Sequence, residues 1–172
     1  MSARRPVFLG HTAAPSGAEL AFARLAGELR HRGVPASVVL LAPGPLTEVL
    51  AAADVPVTVV PGRPSAVRRD AGPLAVLRGA IGLYRTGRRL APMLLAQDAD
   101  VVVAESTKSL FVGAVASRRT GIPLVWQVHD RVSAEYFGRK RFPLRLLGRV
   151  AASGYLANSR GTLRTISTGG SP

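Results

Sequence analysis

Six times along the chain a short apolar run gives way to a stretch with helical spacing, and this alternation constrains the fold most strongly. The runs are Val7 to Leu9, Ala36 to Ala42, Val55 to Val60, Ala99 to Glu105, Leu124 to Val128 and Gly154 to Ser159. Their length and their Gly, Pro and polar boundaries mark them as strands. They are apolar on both faces, as strands buried between two helical layers are. The pattern predicts an α/β fold: a Rossmann-like, doubly wound parallel sheet of about six strands with helices on both faces. Right-handed crossovers give the order 3-2-1-4-5-6, with a switch point between the first and fourth strands. Ligands of such sheets bind beside that point, at the carboxyl ends of the strands. The loops bordering it are Gly10–Gly17 and Glu105–Ser109, with the loop at His129 next door.

The first unit, Pro6 to Arg32, is the most informative. After its strand and turn, Leu20, Ala21, Phe22, Leu25, Ala26 and Leu29 share one broad helical face. Ser16 and Glu19 have the S-x-x-E spacing of a capping box. Gly33 ends the helix, and Arg30, His31 and Arg32 suit the negative end of its dipole. A helix N-terminus directly after a strand is an anion site, because its first N–H groups lack intrahelical partners. Gly17 lets a ligand approach the backbone closely. The bland alternative is that Gly17 only turns and Ser16 only caps. The loop is not G-x-G-x-x-G, which argues against NAD.

Arg63 to Gly72 is a polar, basic stretch expected to be a mobile loop. The next helix begins at Pro73 and runs to about Gln97. Leu74, Leu77, Ile81, Tyr84, Ala91 and Leu95 recur on one arc, the expected core face, with Arg78, Arg85 and Arg89 on an adjacent arc. Arg88 falls on the apolar arc, so Gly87 is expected to mark a kink or Arg88 to snorkel outward; Pro92 is a second expected kink. Leu110 to Thr120 reads as helix, with Leu110, Val112, Ala114 and Val115 as core. Ser133 to about Ala152 reads as a helix broken near Gly138–Arg141 and again at Pro143.

Net charge is +13; Lys108 and Lys140 are the only lysines, so 21 of the 23 basic residues are arginine. Such a surplus points to an anionic partner: nucleotide phosphate, a phospholipid surface or nucleic acid. Nucleic acid is the least supported, since only nine residues are aromatic and they do not interleave with the basic ones. Cysteine is absent, which excludes a thiol nucleophile and a Cys-based zinc site and fits a reducing compartment. The three histidines have no metal-ligand spacing, and neither a G-x-S-x-G elbow nor a P-loop occurs. No run is long enough to span a membrane, and Val7–Leu9 is too short for a signal-peptide core.

His129 and Asp130 directly follow a strand end, the position of ligand sites in α/β sheets. His129 can donate to a sugar hydroxyl or phosphate oxygen; the alternative is a histidine that only ties down its loop. His11 follows the first strand and His31 serves as a helix C-terminal cation. Asp130 and Glu135 can be read as an acid–base pair, or Glu135 as a solvated helix residue.

Taken in order, PSGAE at 15–19, the helix ending HRG at 31–33, ADVVVAES at 99–106, GIPLVWQVHD at 121–130 and YLANS at 155–159 resemble the N-terminal domain of family 4 glycosyltransferases. These enzymes have the two-domain GT-B architecture. The resemblance implies residues 1–159 as the Rossmann-like acceptor-side domain and 160–172 as the start of the connection to an absent donor domain. It implies a nucleotide sugar as co-substrate, no other cofactor, no metal, and retention at the anomeric centre. Ser16 and Gly17 would face the donor diphosphate and His129 the transferred sugar. His11, Thr12, Glu105, Ser106, Lys108 and Asp130 are the acceptor-binding candidates. The family's E-x7-E motif is missing, because no two glutamates are eight apart. The chain therefore resembles half an enzyme, inactive alone, needing a donor domain in cis or as a separate chain, and a glycan, lipid or small-molecule acceptor. Members with lipid-linked acceptors dock on membranes, which gives Arg78, Arg85, Arg89, Arg139, Lys140 and Arg141 a role on an anionic surface. The implied location is cytoplasmic, peripheral on the inner membrane face. The competing reading is a non-catalytic anion- or membrane-docking module.

Overall fold

The computed structural model describes residues 4–60, 72–129, 131–138 and 141–167. The Arg63–Gly72 loop up to residue 71, Asp130, Arg139 and Lys140 lie outside them. The strands are β1 (Pro6–Gly10), β2 (Ser37–Leu40), β3 (Val57–Val59), β4 (Val101–Ala104), β5 (Leu124–Val128) and β6 (Gly154–Ala157). The helices are α1 (Gly17–His31), α2 (Leu46–Ala52), α3 (Pro73–Ala96), α4 (Thr107–Thr120), α5 (Ala134–Phe137), α6 (Arg141–Ala151) and α7 (Arg160–Ser167). All strand pairs are parallel, in the order β3-β2-β1-β4-β5-β6. This is the order the alternation predicts.

The sheet is buried on both faces, and successive residues go to opposite cores. Val7 and Leu9 join Val39, Val102 and Ala104 under α3, α4 and α6. Phe8 joins Val38, Leu40 and Val103 under α1 and α2. There Phe8 stacks on Phe22 of α1, with ring centroids 6.5 Å apart and planes 9° from parallel. Ile166 of α7 is buried in the first core, and the backbone N–H of Val132 donates to Thr165 Oγ1 at 3.0 Å. The last described helix thus packs on the same domain.

Several helices turn differently from their apolar arcs. In α1 the buried line is Glu19, Phe22, Ala23 and Ala26, while Ala21 and Leu25 are exposed. In α3 the correction is larger. Leu74, Leu77, Ile81 and Tyr84 are 42% to 58% exposed, and Leu95 is exposed too. The buried face is Thr86, Gly87, Leu90, Ala91 and Leu94. Hydrophobic spacing alone cannot identify this face, because its contact depends on a missing side chain. A Cβ on Gly87 would lie 2.6 Å from Val115 Cβ and 2.7 Å from the Val112 carbonyl oxygen of α4. Gly87 is therefore a site of close α3–α4 approach, within one continuous helix that also contains Pro92. Arg88 is exposed, on the snorkelling side of the expectation. At the other edge, Gly148 of α6 meets the Trp126 indole in the same way, with 2.9 Å between its would-be Cβ and the ring. The break between α5 and α6 falls where it is expected, beside Gly138 at φ 53°. Pro143 lies in the first turn of α6 and does not break it.

The α3–α4 seam gives a paired test. Gly87→Ala should destabilise the fold by about 1–3 kcal/mol, since the methyl meets backbone and a β-carbon that cannot yield. Gly82→Ala in the same helix meets nothing within 4 Å and should stabilise by up to about 1 kcal/mol through helix propensity. Chemical denaturation of both variants measures the two effects, and equal behaviour would contradict the close-approach assignment.

Candidate functional site

β1 pairs with β2 on one side and β4 on the other, so the connections leaving β1 and β4 part in opposite directions. At their carboxyl ends a cavity of about 250 Å³ opens. Its polar lining includes His11, Ser16, Glu19, Glu105, Ser106, Gln127 and His129. Trp126, Val132 and Phe137 supply apolar walls. The topology thus brings together residues from three loops that are far apart in sequence.

Ser16 is the N-cap residue of α1, but the expected capping box does not form there. Its hydroxyl donates to the Glu19 carboxylate, and its side chain caps no backbone N–H. The capping box is on α4 instead. Ser109 N donates to Ser106 Oγ at 3.2 Å, and Ser106 N donates to Ser109 Oγ at 2.7 Å. The polar stretch expected as a loop up to Ser109 is therefore helical from Thr107. Serine at the third helical position replaces the longer Glu of the S-x-x-E pattern, so the signal is easily missed. Gly17 is exposed, and a Cβ there would meet nothing within 4 Å, so the first turn of α1 is open to an approaching group.

Glu105 continues the sheet ladder, its N–H donating to the Leu9 carbonyl at 3.2 Å. Its side chain is only 3% exposed, and Oε2 lies at hydrogen-bond distance, 3.1 Å, from His129 Nε2. Burial pushes the Glu105 carboxyl above its usual range; the His129 hydrogen bond opposes this, and the Glu19 charge adds to it. Glu105 Oε1 is buried without a hydrogen-bond partner among the described residues, as is Gln127 Oε1. His11 is held below its ordinary value, first by burial and then by the Lys108 charge, against the opposing pull of Glu19. Lys108 itself is exposed. Thr12 Oγ1 accepts from Ala14 N at 3.1 Å and so braces its own turn.

Of the sequence-derived candidates, His11, Ser16, Glu105, Ser106 and His129 line the cavity; Thr12, Gly17 and Lys108 lie on the bordering segments. Arg78, Arg85 and Arg89 are exposed on α3, and Arg141 stands over the Phe142 ring at 4.4 Å. Sequence reading gives Glu19 only a capping role and assigns no site role to Gln127 or Asn158. Asn158 donates its Nδ2 to the His129 carbonyl at 2.8 Å, tying the end of β6 to the end of β5. Its signal is a polar residue directly after a strand at the same sheet edge. Among the described residues no group of three His, Cys, Asp or Glu could hold a metal ion. No described helix is long and apolar enough to cross a membrane.

A doubly wound sheet with a cavity at its switch point defines a class of ligand-binding α/β domains. Within that class the chain belongs to the glycosyl transferase 4-like domain family, which it matches over residues 16–168. Among solved structures it is similar to HepE of Anabaena in complex with UDP and glucose, at 29% identity and a TM-score of 0.71. That match covers 95% of this chain and 40% of HepE. It also shares its fold with the lipopolysaccharide outer core galactosyltransferase WaaB, at 10% identity and TM-score 0.67, covering 94% of this chain and 41% of WaaB. A putative UDP-N-acetylglucosamine 2-epimerase from Listeria monocytogenes shares it too, at 13% identity and TM-score 0.66, covering 96% and 42%. The chain thus spans about two-fifths of the length of these proteins. No curated protein matches it.

The His11 environment sets a pH dependence. A histidine with a depressed folded-state pKa contributes stability above its unfolded value of 6.5, and that stability is lost as pH falls through the folded value. His11→Gln should therefore flatten the acid side of the Tm profile between about pH 7 and pH 5. Parallel wild-type and variant profiles would show that His11 is not held neutral by the fold.

Proposed function

We propose that this chain is the acceptor-side, N-terminal domain of a glycosyltransferase that moves a sugar from a nucleotide-sugar donor to a glycan, lipid or small-molecule acceptor. The observation that carries this reading is the switch-point cavity with His129 on its wall, in a chain of the glycosyl transferase 4-like family. The uncapped first turn of α1 at Ser16 and Gly17 offers N–H groups to a diphosphate. His129 then faces the transferred sugar as a hydrogen-bond donor. His11, Thr12, Ser106, Lys108 and the second oxygen of Glu105 border the space for the acceptor, and Asp130, next to His129 in sequence, is a further acceptor candidate. The complexes of HepE with UDP-glucose and with UDP and glucose support a nucleotide sugar as the co-substrate. Retention, metal independence and a lack of turnover by the isolated domain follow from the family resemblance. A second domain, in cis or as a separate chain, would supply the rest of the donor pocket.

The test uses nucleotide sugars with lipid and glycoside acceptors. The 172-residue chain alone should give no product. Joined to a donor-side domain it should turn over, and His129→Ala should then cost on the order of 2–4 kcal/mol in kcat/KM with little change in Tm. A variant that loses stability while its folded fraction turns over normally would make His129 structural. Robust turnover by the isolated chain would overturn the half-enzyme reading.

A specific observation also favours an anionic membrane surface as a partner. The first half of α3 exposes Leu74, Val76, Leu77, Ile81 and Tyr84 beside Arg78, Arg85, Arg88 and Arg89. Apolar residues flanked by cations suit a headgroup boundary, where each basic residue contributes about 1 kcal/mol and salt screens it. The chain should sediment with anionic vesicles and release as salt rises, and replacing Arg78, Arg85 and Arg89 with Gln should weaken binding without unfolding. Equal binding to neutral vesicles would count against this role.

A further inference from the structure

We propose that Glu105 is a positioning residue for His129: its Oε2 anchors the imidazole Nε2–H and fixes the ring at the cavity wall. The geometry is specific. The Glu105 backbone is locked by the β1–β4 ladder, its carboxylate is almost fully buried, and the Nε2···Oε2 separation is 3.1 Å. The His129 backbone is held independently by Asn158. Backbone and ring are thus clamped from two strands that flank β5 on opposite sides.

A carboxylate is a costly way to fill this position. Burying it is unfavourable unless a cation or donor compensates, and Oε1 has no partner among the described residues. An amide or apolar residue would fill the space at lower cost. What only the carboxylate supplies is a strong acceptor that selects the Nε2–H tautomer and favours the imidazolium. Among the described residues, Glu19 from α1 acts on Glu105, and Glu19 and Lys108, from the first turn of α4, act on His11, which shares the cavity. Glu19 raises the Glu105 carboxyl, while Lys108 lowers His11. That His129 serves a sugar rests on the function proposed above; its pairing with Glu105 does not.

Long-range proton–nitrogen spectra of the imidazoles, recorded across pH on the 172-residue chain, test the pair. In the wild type the neutral His129 ring should be protonated at Nε2. In Glu105→Gln the His129 midpoint should fall by on the order of one pH unit, while His31 at the far end of α1 keeps its midpoint. An unchanged His129 midpoint in the folded variant would overturn the proposal. If Glu105→Gln does not fold, the wild-type tautomer decides, and a ring protonated mainly at Nδ1 overturns it equally. Normal titration with no sugar transfer by the two-domain protein would remove the functional reading and leave the pair standing.

Discussion

The structure depends on β1 being hydrogen-bonded on both edges to parallel strands. A parallel partner cannot be reached by a tight turn, so each crossover must cover a sheet face with a helix. Because β2 follows β1 on one side and β4 lies on the other, the two faces are covered by different helices. The loops that leave β1 and β4 separate, and the space between them is the cavity. One constraint on backbone hydrogen bonding therefore sets both the two-sided core and the position of the site.

Within that site the polar groups depend on one another. Glu19 lies in the first turn of α1 and Glu105 directly before the N-cap of α4, so each carboxylate stands at a helix N-terminus electrostatically suited to anions. The arrangement is tolerable because each carboxylate has a donor: His129 for Glu105 and the Ser16 hydroxyl for Glu19. The bond between Ser16 and Glu19 also removes the cap that would otherwise occupy the first-turn N–H groups of α1. The side chains that look like a local helix signal bond to each other on the lining of the cavity instead.

Strand order and the loops of the site were legible in the sequence because parallel strands leave a strong signature: short runs, apolar on both faces, separated by helix-length segments. Gly33 and the break at Gly138 were legible for a similar reason, since positive φ strongly favours glycine. The helical faces were less legible. In α3 the apolar arc through Leu74, Leu77 and Ile81 has good periodicity but faces outward, whereas the buried face is organised by Gly87 and includes Thr86, which donates to its own helix at Gly82. A contact made by the absence of a side chain leaves no hydrophobic signal. Glu105 and Asn158 illustrate the corresponding limit for the site. Both lie at strand ends, where polar residues draw attention, but their partner is His129, and only the parallel register brings the three together.

The contact between Gly148 and Trp126 has a consequence for the ligand space. The indole forms part of the cavity wall, and its benzene edge rests against α6 where residue 148 has no side chain. Tyr155 leans on it from β6 with ring centroids 6.3 Å apart, leaving it little sideways freedom. Any atom added at residue 148 would drive the indole forward, toward the polar groups. The depth available to a bound molecule is therefore set from behind, by a helix that contributes no residue to the cavity lining.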